Sequence, residues 1–586
     1  MDEEKNNSNN VRLITRSERS EIDAHAVIGI GATMKEERGL ACTGTQVYAA
    51  SRFEAQESVC FGGVLFALPA LISQGLDKIF TTFRQLPNGF YGLHHIILLM
   101  CFMALCRIKN PEQLKKYPCG EFGKLLGLDR SPQVEYLRVK IRQITEQSKC
   151  DLVHEQLFQT WTEQMDEAFY YIDGHVRVYS GSLAHLPKHY VSREKLCLTA
   201  TTEFYVNTCK GLPLMVITGE LNEKLKAAIE KAIIEIKKVT KAKADKTSQK
   251  PIFTIVFDRE AYEPKWFKKL WEEERIAVIS YRKNVKDNWD ESLFEETVVK
   301  VDNVDVTMRL CELGTYIKDA GWFREVRKLS NNGHQTAIIT TNPELNLTEV
   351  AIRMFTRWSQ ENFFKYMIVN FDFDKMIEYG TRELNSKTIR IPNPSCVQLS
   401  YKIKKLREKK GRMEAKLYQK IDPENAESIE KLQKIITHEK TLLEQINDFE
   451  EDINKLIEDR KNVTAGISID QLPPDKQYNM LKQESKKLKN IIVMLAYRAE
   501  SSLYNLLPEF YANACKDGRQ LLKEIFISDA DFIPDLQKQI LTVRRLHSLS
   551  TPRANAAVRK LCECLNKTQC IFPYADLKLF FDSVAF

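Results

Sequence analysis

The chain has 586 residues, of which 43% are hydrophobic and 28% charged. That composition excludes a collagen-like chain, a wholly disordered chain and a small disulfide-stapled scaffold, and the length suits roughly two to four domains. Lys and Arg total 86 against 79 Asp and Glu, so the net charge of +7 permits a polyanionic partner without requiring one.

Residues 1–57 are polar, with scattered Gly and Thr, and read as a flexible N-terminal arm. Residues 1–10 are not basic and then apolar, so no secretory signal is expected and the chain is assigned to the cytoplasm. The 14 cysteines form no CxxC pair; Cys562, Cys564 and Cys570 lack zinc-finger spacing and read as free thiols. Gly29-Ile30-Gly31 has Met34 where a dinucleotide loop needs a third Gly.

Residues 58–150 read as helical, with apolar helices at 62–72 and 89–107. The longest apolar run, 96–106, falls short of the ~20 residues a membrane span needs, so it reads as a buried core helix. Asn110-Pro111-Glu112 opens a short helix, and another is expected at 120–126. Pro132 starts a helix through 147 with Leu137, Ile141 and Ile144 inward, and Arg130, Arg138, Lys140 and Arg142 crowd it. A helix-turn-helix DNA-binding domain and a plain helical bundle with solvated charges both fit.

Residues 165–283 alternate strands and helices: strands at 169–172, 196–202 and 212–217, a helix at 222–239, a strand at 252–257, a helix at 265–274 and a strand at Ile276–Tyr281. This order predicts a mixed α/β sheet. Residues 284–341 hold four more predicted strands, read as a β-rich insertion. Asn346 with Glu349 then makes a capping-box start for one helix running to 369. Residues 399–460 predict an antiparallel helical hairpin, with Ile403, Leu443, Ile446 and Ile453 among its seam residues. Its first arm (399–420) carries nine basic and two acidic residues and its second (421–461) six basic and twelve acidic, so the arms neutralise each other. A freer basic stretch is 224–250, with nine Lys and three acids. Residues 461–586 read as mostly helical, broken at Pro508, Pro534 and Pro552.

No Walker A loop, HExxH or GxSxG occurs. Three carboxylates stand out instead. Asp173 ends a strand in Tyr170-Tyr171-Ile172-Asp173-Gly174-His175, Asp258 ends another in Val256-Phe257-Asp258-Arg259-Glu260, and Glu361 lies on the helix after the insertion. Two metal ions held by such a set activate the attacking oxygen and stabilise the leaving one in phosphodiester chemistry. Arg357, Glu361 and Lys365 share one helix face, as a salt-bridge stripe or as phosphate contacts beside a metal-bound Glu361. Trp358 reads as a core residue or a base-stacking one, and His175 shares the strand face of Asp173. His185, Lys188 and His189 are weaker candidates for phosphate contact.

These segments, with Arg357-Trp358-Ser359-Gln360-Glu361-Asn362-Phe363-Phe364-Lys365-Tyr366, resemble DDE transposases of the bacterial insertion-sequence type over residues 58–400. The fold implied is α/β: a ribonuclease-H-like mixed sheet (165–283 and 342–396) with a β-rich insertion, flanked by an N-terminal helical DNA-binding region and a C-terminal helical, coiled-coil hairpin region. The resemblance implies Mg²⁺, with Mn²⁺ as substitute and two ions in all, held by Asp173, Asp258 and Glu361. Arg357, Lys365, His175, Trp358, Arg138, Lys140 and Arg142 would meet DNA. A homodimer or larger multimer would bind the inverted-repeat ends of the element and target DNA in the bacterial cytosol or nucleoid, free a 3′-hydroxyl and join it to the target. Two positions depart from the insertion-sequence pattern: Met354 and Ile368 stand where Tyr and Lys are frequent. A ribonuclease-H-like nuclease without strand transfer, and an inactive DNA-binding scaffold, are the alternative classes. Glu325 and Asp372 are the alternative acids should Glu361 not serve.

Overall fold

The computed structural model describes residues 12–182, 184–191, 194–219, 223–240, 250–301, 304–373, 381–382, 390–418, 429–473, 477–478, 480–546 and 551–584. The chain divides into two compact units: Met1–Ser180, Lys188–Tyr379 and Lys482–Phe586 make one, and Gly181–Pro187 with Gly380–Leu481 the other.

The larger unit opens with α1 (Arg16–Ala24), α2 (Lys35–Cys42) and β1 (Gln56–Val59). Residues 12–57, expected to belong to a flexible arm, thus contribute regular elements to this unit. Thr15 and Glu18 close a capping box on α1, and the buried Arg19 guanidinium pairs with Glu121 at 3.0 Å while donating to the Glu57 and Ser58 carbonyls. Helices α3 (Leu68–Ser73), α4 (Leu76–Thr82), α5 (Leu93–Leu105), α6 (Pro111–Leu114), α7 (Cys119–Lys124), α8 (Val134–Thr145) and α9 (Cys150–Glu163) follow. Nearly all of α5 is buried, as the apolar run predicted. Among the described residues no single helix is long and apolar enough to cross a membrane.

Next come β2 (Phe169–Val178), β3 (Lys188–Val191), β4 (Leu196–Asn207), β5 (Pro213–Thr218), α10 (Leu225–Thr240), β6 (Phe253–Phe257), α11 (Pro264–Glu274) and β7 (Ile276–Tyr281). After them stand β8 (Glu295–Val301), β9 (Val304–Ile317), β10 (Gly321–Leu329), β11 (Gln335–Thr340), α12 (Leu347–Phe355) and α13 (Trp358–Phe371). All the strands join one sheet in the order β3-β4-β2-β6-β7-β11-β10-β9-β8, with β5 also on β4. β2, β6 and β7 run parallel; the remaining pairings are antiparallel. Every residue of β6 is buried, which suits a central parallel strand covered on both faces. The β-rich segment at 284–341 extends this sheet through β11 on β7, with Ile338 opposite Tyr281, rather than standing apart from it.

The smaller unit holds β12 (Thr381–Arg382), β13 (Arg390–Pro392), α14 (Pro394–Tyr418), α15 (Ile429–Lys461), β14 (Gly466–Ser468) and β15 (Met480–Leu481). The two helices pack together as a hairpin closed at its base by the antiparallel β13–β14 pair, and Lys410 meets Glu450 at 3.0 Å, the charge pairing the arms predicted. Ile403, Leu442, Ile446 and Ile453 are buried there, while Leu443, expected in the seam, is 48% exposed; Leu442 takes its place. The hairpin tip at 419–428 lies outside the described residues.

From residue 482 the chain returns to the larger unit with α16 (Glu484–Leu506), α17 (Ala514–Ile527), β16 (Ala530–Asp535), β17 (Ile540–Arg545), α18 (Pro552–Lys567) and β18 (Lys578–Ser583). α16 is buried on every side and packs on α5, α3, α9 and α17, which makes it a core helix rather than part of a C-terminal appendage. The region expected to be helical also contributes strands: β1-β16-β17-β18 form a second sheet, with β1 and β16 antiparallel. Gly63 passes so close to α17 that a Cβ would stand 2.0 Å from the Ile525 carbonyl and 2.6 Å from Ser528 Oγ. Gly63→Ala is therefore expected to cost about 1–3 kcal/mol by overpacking, read as a lowered urea midpoint. Cys562 and Cys570 are buried and Cys564 half-buried, all as free thiols.

Candidate active site

Parallel pairing sets the site. Ile172 on β2 lies opposite Phe257 on β6, so Asp173 and Asp258 follow at adjacent positions on neighbouring strands. In open α/β sheets this carboxyl-end edge is where sites gather. β2 does not stop at Asp173 as expected; it continues to Val178 because it stays paired with β4 from Tyr171 opposite Asn207 to Val178 opposite Ala200. The Gly174 N–H donates to Asp173 Oδ1 at 2.9 Å, and the Arg259 N–H donates to Asp258 Oδ1 at 2.7 Å.

The third acid arrives on a different element from the one expected. The single helix predicted after Asn346 is two: α12, which starts with the Asn346–Glu349 capping box, and α13, separated by Thr356 and Arg357. The Thr356 hydroxyl donates back to the Ile352 carbonyl at 2.8 Å, satisfying the end of α12. Arg357 thus sits at the break, and Glu361 in the first turn of α13.

Arg357 ties two of the acids together. Its Nη1 donates to Asp173 Oδ2 at 3.1 Å, and its Nη2 stands 3.8 Å from Glu361 Oε1. Its Nε is buried with no hydrogen-bond partner. Burial pushes the Asp173 carboxyl up to about 6; Arg357 and the Gly174 N–H pull it down, and the Asp258 charge pushes it further up. Tyr281 at the end of β7 joins the group: burial raises its hydroxyl, Arg357 opposes this, and Asp258 and Glu361 add to it. Tyr281 was read from sequence only as a strand residue. Its place beside the acids depends on the β6–β7 pairing, where Phe257 lies opposite Ser280, the residue before it.

Among the described residues, no group of three or more His, Cys, Asp or Glu side chains stands close enough to hold a metal ion. Asp173 and Glu361 meet a guanidinium instead.

The other predicted residues fall in several places. His175 is 9% exposed and stacks on Phe364 of α13, with ring centroids 5.1 Å apart. It packs the helix onto the sheet rather than facing solvent. Lys365 is exposed on α13, and the Trp358 side chain lies outside the described residues. Arg142 is exposed and Arg138 pairs with Glu112 at 2.7 Å. Lys140, expected to meet DNA, is 2% exposed, with its ammonium 5.3 Å from the Tyr136 ring centroid. It shares the inward face of Leu137 and Ile144, both fully buried. α8 itself packs on α5, α6 and α16. His185 stacks on Tyr478 in the smaller unit, and His189 Nδ1 lies 3.3 Å from the Thr202 hydroxyl in the larger one. The alternative acids are both engaged: Glu325 is fully buried between Arg282 and Arg327, and Asp372 pairs with Lys109 at 3.2 Å. Of the basic stretch at 224–250, residues 241–249 lie outside the described residues.

Two buried networks position these elements. Glu500 on α16, with no exposed surface, accepts from Arg107 at 2.7 Å and Arg519 at 3.3 Å, and from the Tyr366 hydroxyl of α13. Glu203 on β4, also fully buried, pairs with Arg177 of β2 and Lys486 of α16, each at 2.8 Å, and accepts from Asn490 at 3.1 Å and Tyr205 at 2.9 Å. The first fixes the glutamate helix; the second fixes the strand that carries Asp173.

Among curated proteins, none matches this chain. Residues 29–585 match the family Transposase_29, described as "Transposase protein". That match spans both units and the whole site just described, and the chain therefore belongs to this family of transposases.

Proposed function

We propose that the chain is a DDE-type transposase that cleaves DNA at the ends of a mobile element and joins the freed 3′-hydroxyl to target DNA. The observation that carries the reading is the convergence of Asp173 and Asp258, at adjacent positions on parallel strands, with Glu361 through one shared arginine. The order β5-β4-β2-β6-β7, with the first three antiparallel and the last three parallel, supports a ribonuclease-H-like core.

The three acids are of the ligand type that a hard divalent cation takes, although they do not stand close enough together here to hold one. Two of them, Asp173 and Glu361, already draw the Arg357 guanidinium. Asp173, Asp258 and Glu361 are the residues that would hold magnesium, which when bound supplies Lewis-acid activation of a phosphodiester. The chain's own residues do the rest. Lys365, exposed on the same helix as Glu361, presents charge to DNA phosphates. The Glu500 network ties α13 to its neighbours and the Glu203 network ties β2 to β4 and α16, so both elements that carry Asp173 and Glu361 are anchored.

The test is a strand-transfer assay in Mg²⁺ and Mn²⁺ with DNA carrying the element's own end sequences. Joined product of end and target DNA is expected. Cleavage without joining would replace this reading with a simple nuclease, and metal-independent binding alone would replace it with a scaffold.

A further inference from the structure

The charges of the two hairpin arms nearly cancel in the sequence, but the fold keeps most of them apart. Among the described residues, Lys410 is the one cation of α14 that meets an acid of α15, Glu450 at 3.0 Å. It does so because it lies two turns along from the buried Ile403, on the side that packs against α15. Lys402, Lys405, Lys409, Arg412 and Lys416 take another side. They recur at spacings of three and four. At ~3.6 residues per turn they fall within roughly a quarter turn of one another and run ~21 Å along the helix. All five are exposed. No acid stands inside the row. Lys405 meets Glu408 at its margin at 3.0 Å, and among the described residues none of the other four has an ion-pair partner.

Like charges three and four residues apart destabilise a helix, so this row gains nothing for the hairpin alone. A polyanion reverses the sign, since each neutralised phosphate releases condensed counterions. Duplex DNA carries a phosphate every ~1.7 Å of axis, so a straight row of this length stays in reach of its backbone. Four of the five cations are Lys, a point charge without the planar fork that reads base edges. The row holds no aromatic ring on which an unpaired base would stack. Glu444, Asp448 and Glu451 lie exposed on α15, so a second copy would match the row in charge. Exposed ion pairs contribute little, however, and the row offers no apolar side chain to bury against a protein.

We propose that this face of α14 is a contact surface for duplex DNA, which grips the phosphate backbone irrespective of base sequence. It belongs to the smaller unit, whereas Asp173, Asp258 and Glu361 belong to the larger. The inference goes beyond the catalytic reading and stands whether or not those acids perform the reaction.

The experiment follows binding of the full chain to a fluorescein-labelled duplex of arbitrary sequence by anisotropy, in EDTA, from ~50 to ~200 mM NaCl. Wild type is compared with K402Q/K409Q/K416Q, with the charge-keeping K402R/K409R/K416R, and with K265Q/K268Q/K269Q, which removes the same charge from exposed positions of α11. Melting curves check that each is folded. K402Q/K409Q/K416Q is expected to bind about 10²-fold more weakly at ~0.1 M salt, with the slope of log K against log salt reduced by about 2.7. The Arg variant and the α11 variant are expected to bind as wild type does. Wild-type affinity and slope in K402Q/K409Q/K416Q overturn the proposal. An equal loss in the α11 variant overturns it too, because the effect is then one of net charge. Sedimentation tests the second copy: a multimer lost in K402Q/K409Q/K416Q while DNA binding is intact overturns the proposal in favour of a protein contact. With EDTA present, a failure of the acids in strand transfer leaves this result untouched.

Discussion

Asp173→Asn is expected to abolish strand transfer, by at least about 10²–10³-fold, while leaving a protein that melts at or above the wild-type temperature. The two halves have one cause. Asp173 is 24% exposed, and burial pushes its carboxyl up to about 6, more than Arg357 offsets. A raised folded value means the carboxyl favours the folded state most at low pH, and this contribution is lost as pH rises through about 6. At pH 7 the charged form is therefore a cost, of order 2–3 kcal/mol, which Asn removes. The stability gain should be largest above pH 6 and vanish towards pH 4. Glu361→Gln should lose activity to a similar degree with little effect on melting, since that side chain is 56% exposed. Retention of strand transfer within tenfold of wild type by a folded Asp173→Asn protein would remove the acid from the mechanism.

Glu203→Gln is expected to lower stability by about 3–5 kcal/mol, the largest effect of any single substitution considered. It leaves Arg177, 1% exposed, and Lys486, 8% exposed, as buried cations without a counter-charge. Burial pushes the Glu203 carboxyl up, but Arg177 and Lys486 outweigh it and hold it down to about 2. A depressed folded value means the stabilisation is present above the ordinary carboxylate range and lost as pH falls from about 4.5 towards about 2. Urea midpoints of wild type should therefore fall steeply across that window, and those of Glu203→Gln should fall less. A variant within 1 kcal/mol of wild type at pH 7 would show that the network is not what holds β2 to α16.

How far the sequence disclosed these features depended on the range of the interaction. Local patterns were legible. Ile276–Tyr281 was delimited to the residue, and the Asn346–Glu349 capping box lies where its spacing placed it, because both depend on neighbours in the chain. The burial of Lys140 was legible too, in the helical phase of Leu137 and Ile144, but its charge suggested the surface. The two acids at strand ends were visible; the helix break that puts Arg357 between Asp173 and Glu361 was not. Thr356 reads as an unremarkable helical residue until its hydroxyl is seen to close α12. Least legible were the buried charges. Glu203 and Lys486, or Arg107 and Glu500, are hundreds of residues apart, and nothing local distinguishes them from solvated side chains. The pairing of β1 with β16 was missed for the same reason, whereas β16 and β17, which pair across a short turn, were missed although local.

The pairing of β1 with β16 bears on how the protein comes into being. The Ser58 N–H donates to Asp531 Oδ1 at 2.9 Å, between residues 473 positions apart. A ribosome adding ~5–20 residues per second needs about half a minute to a minute and a half to travel that distance. Throughout that interval β1 has no strand to pair with, and α5 waits for α16. The nascent chain displays unsatisfied strand edges and apolar helix faces while most of it is already made. Its final assembly is thus a late, post-synthetic event, and a message cut short anywhere before residue 530 yields a polypeptide without the second sheet.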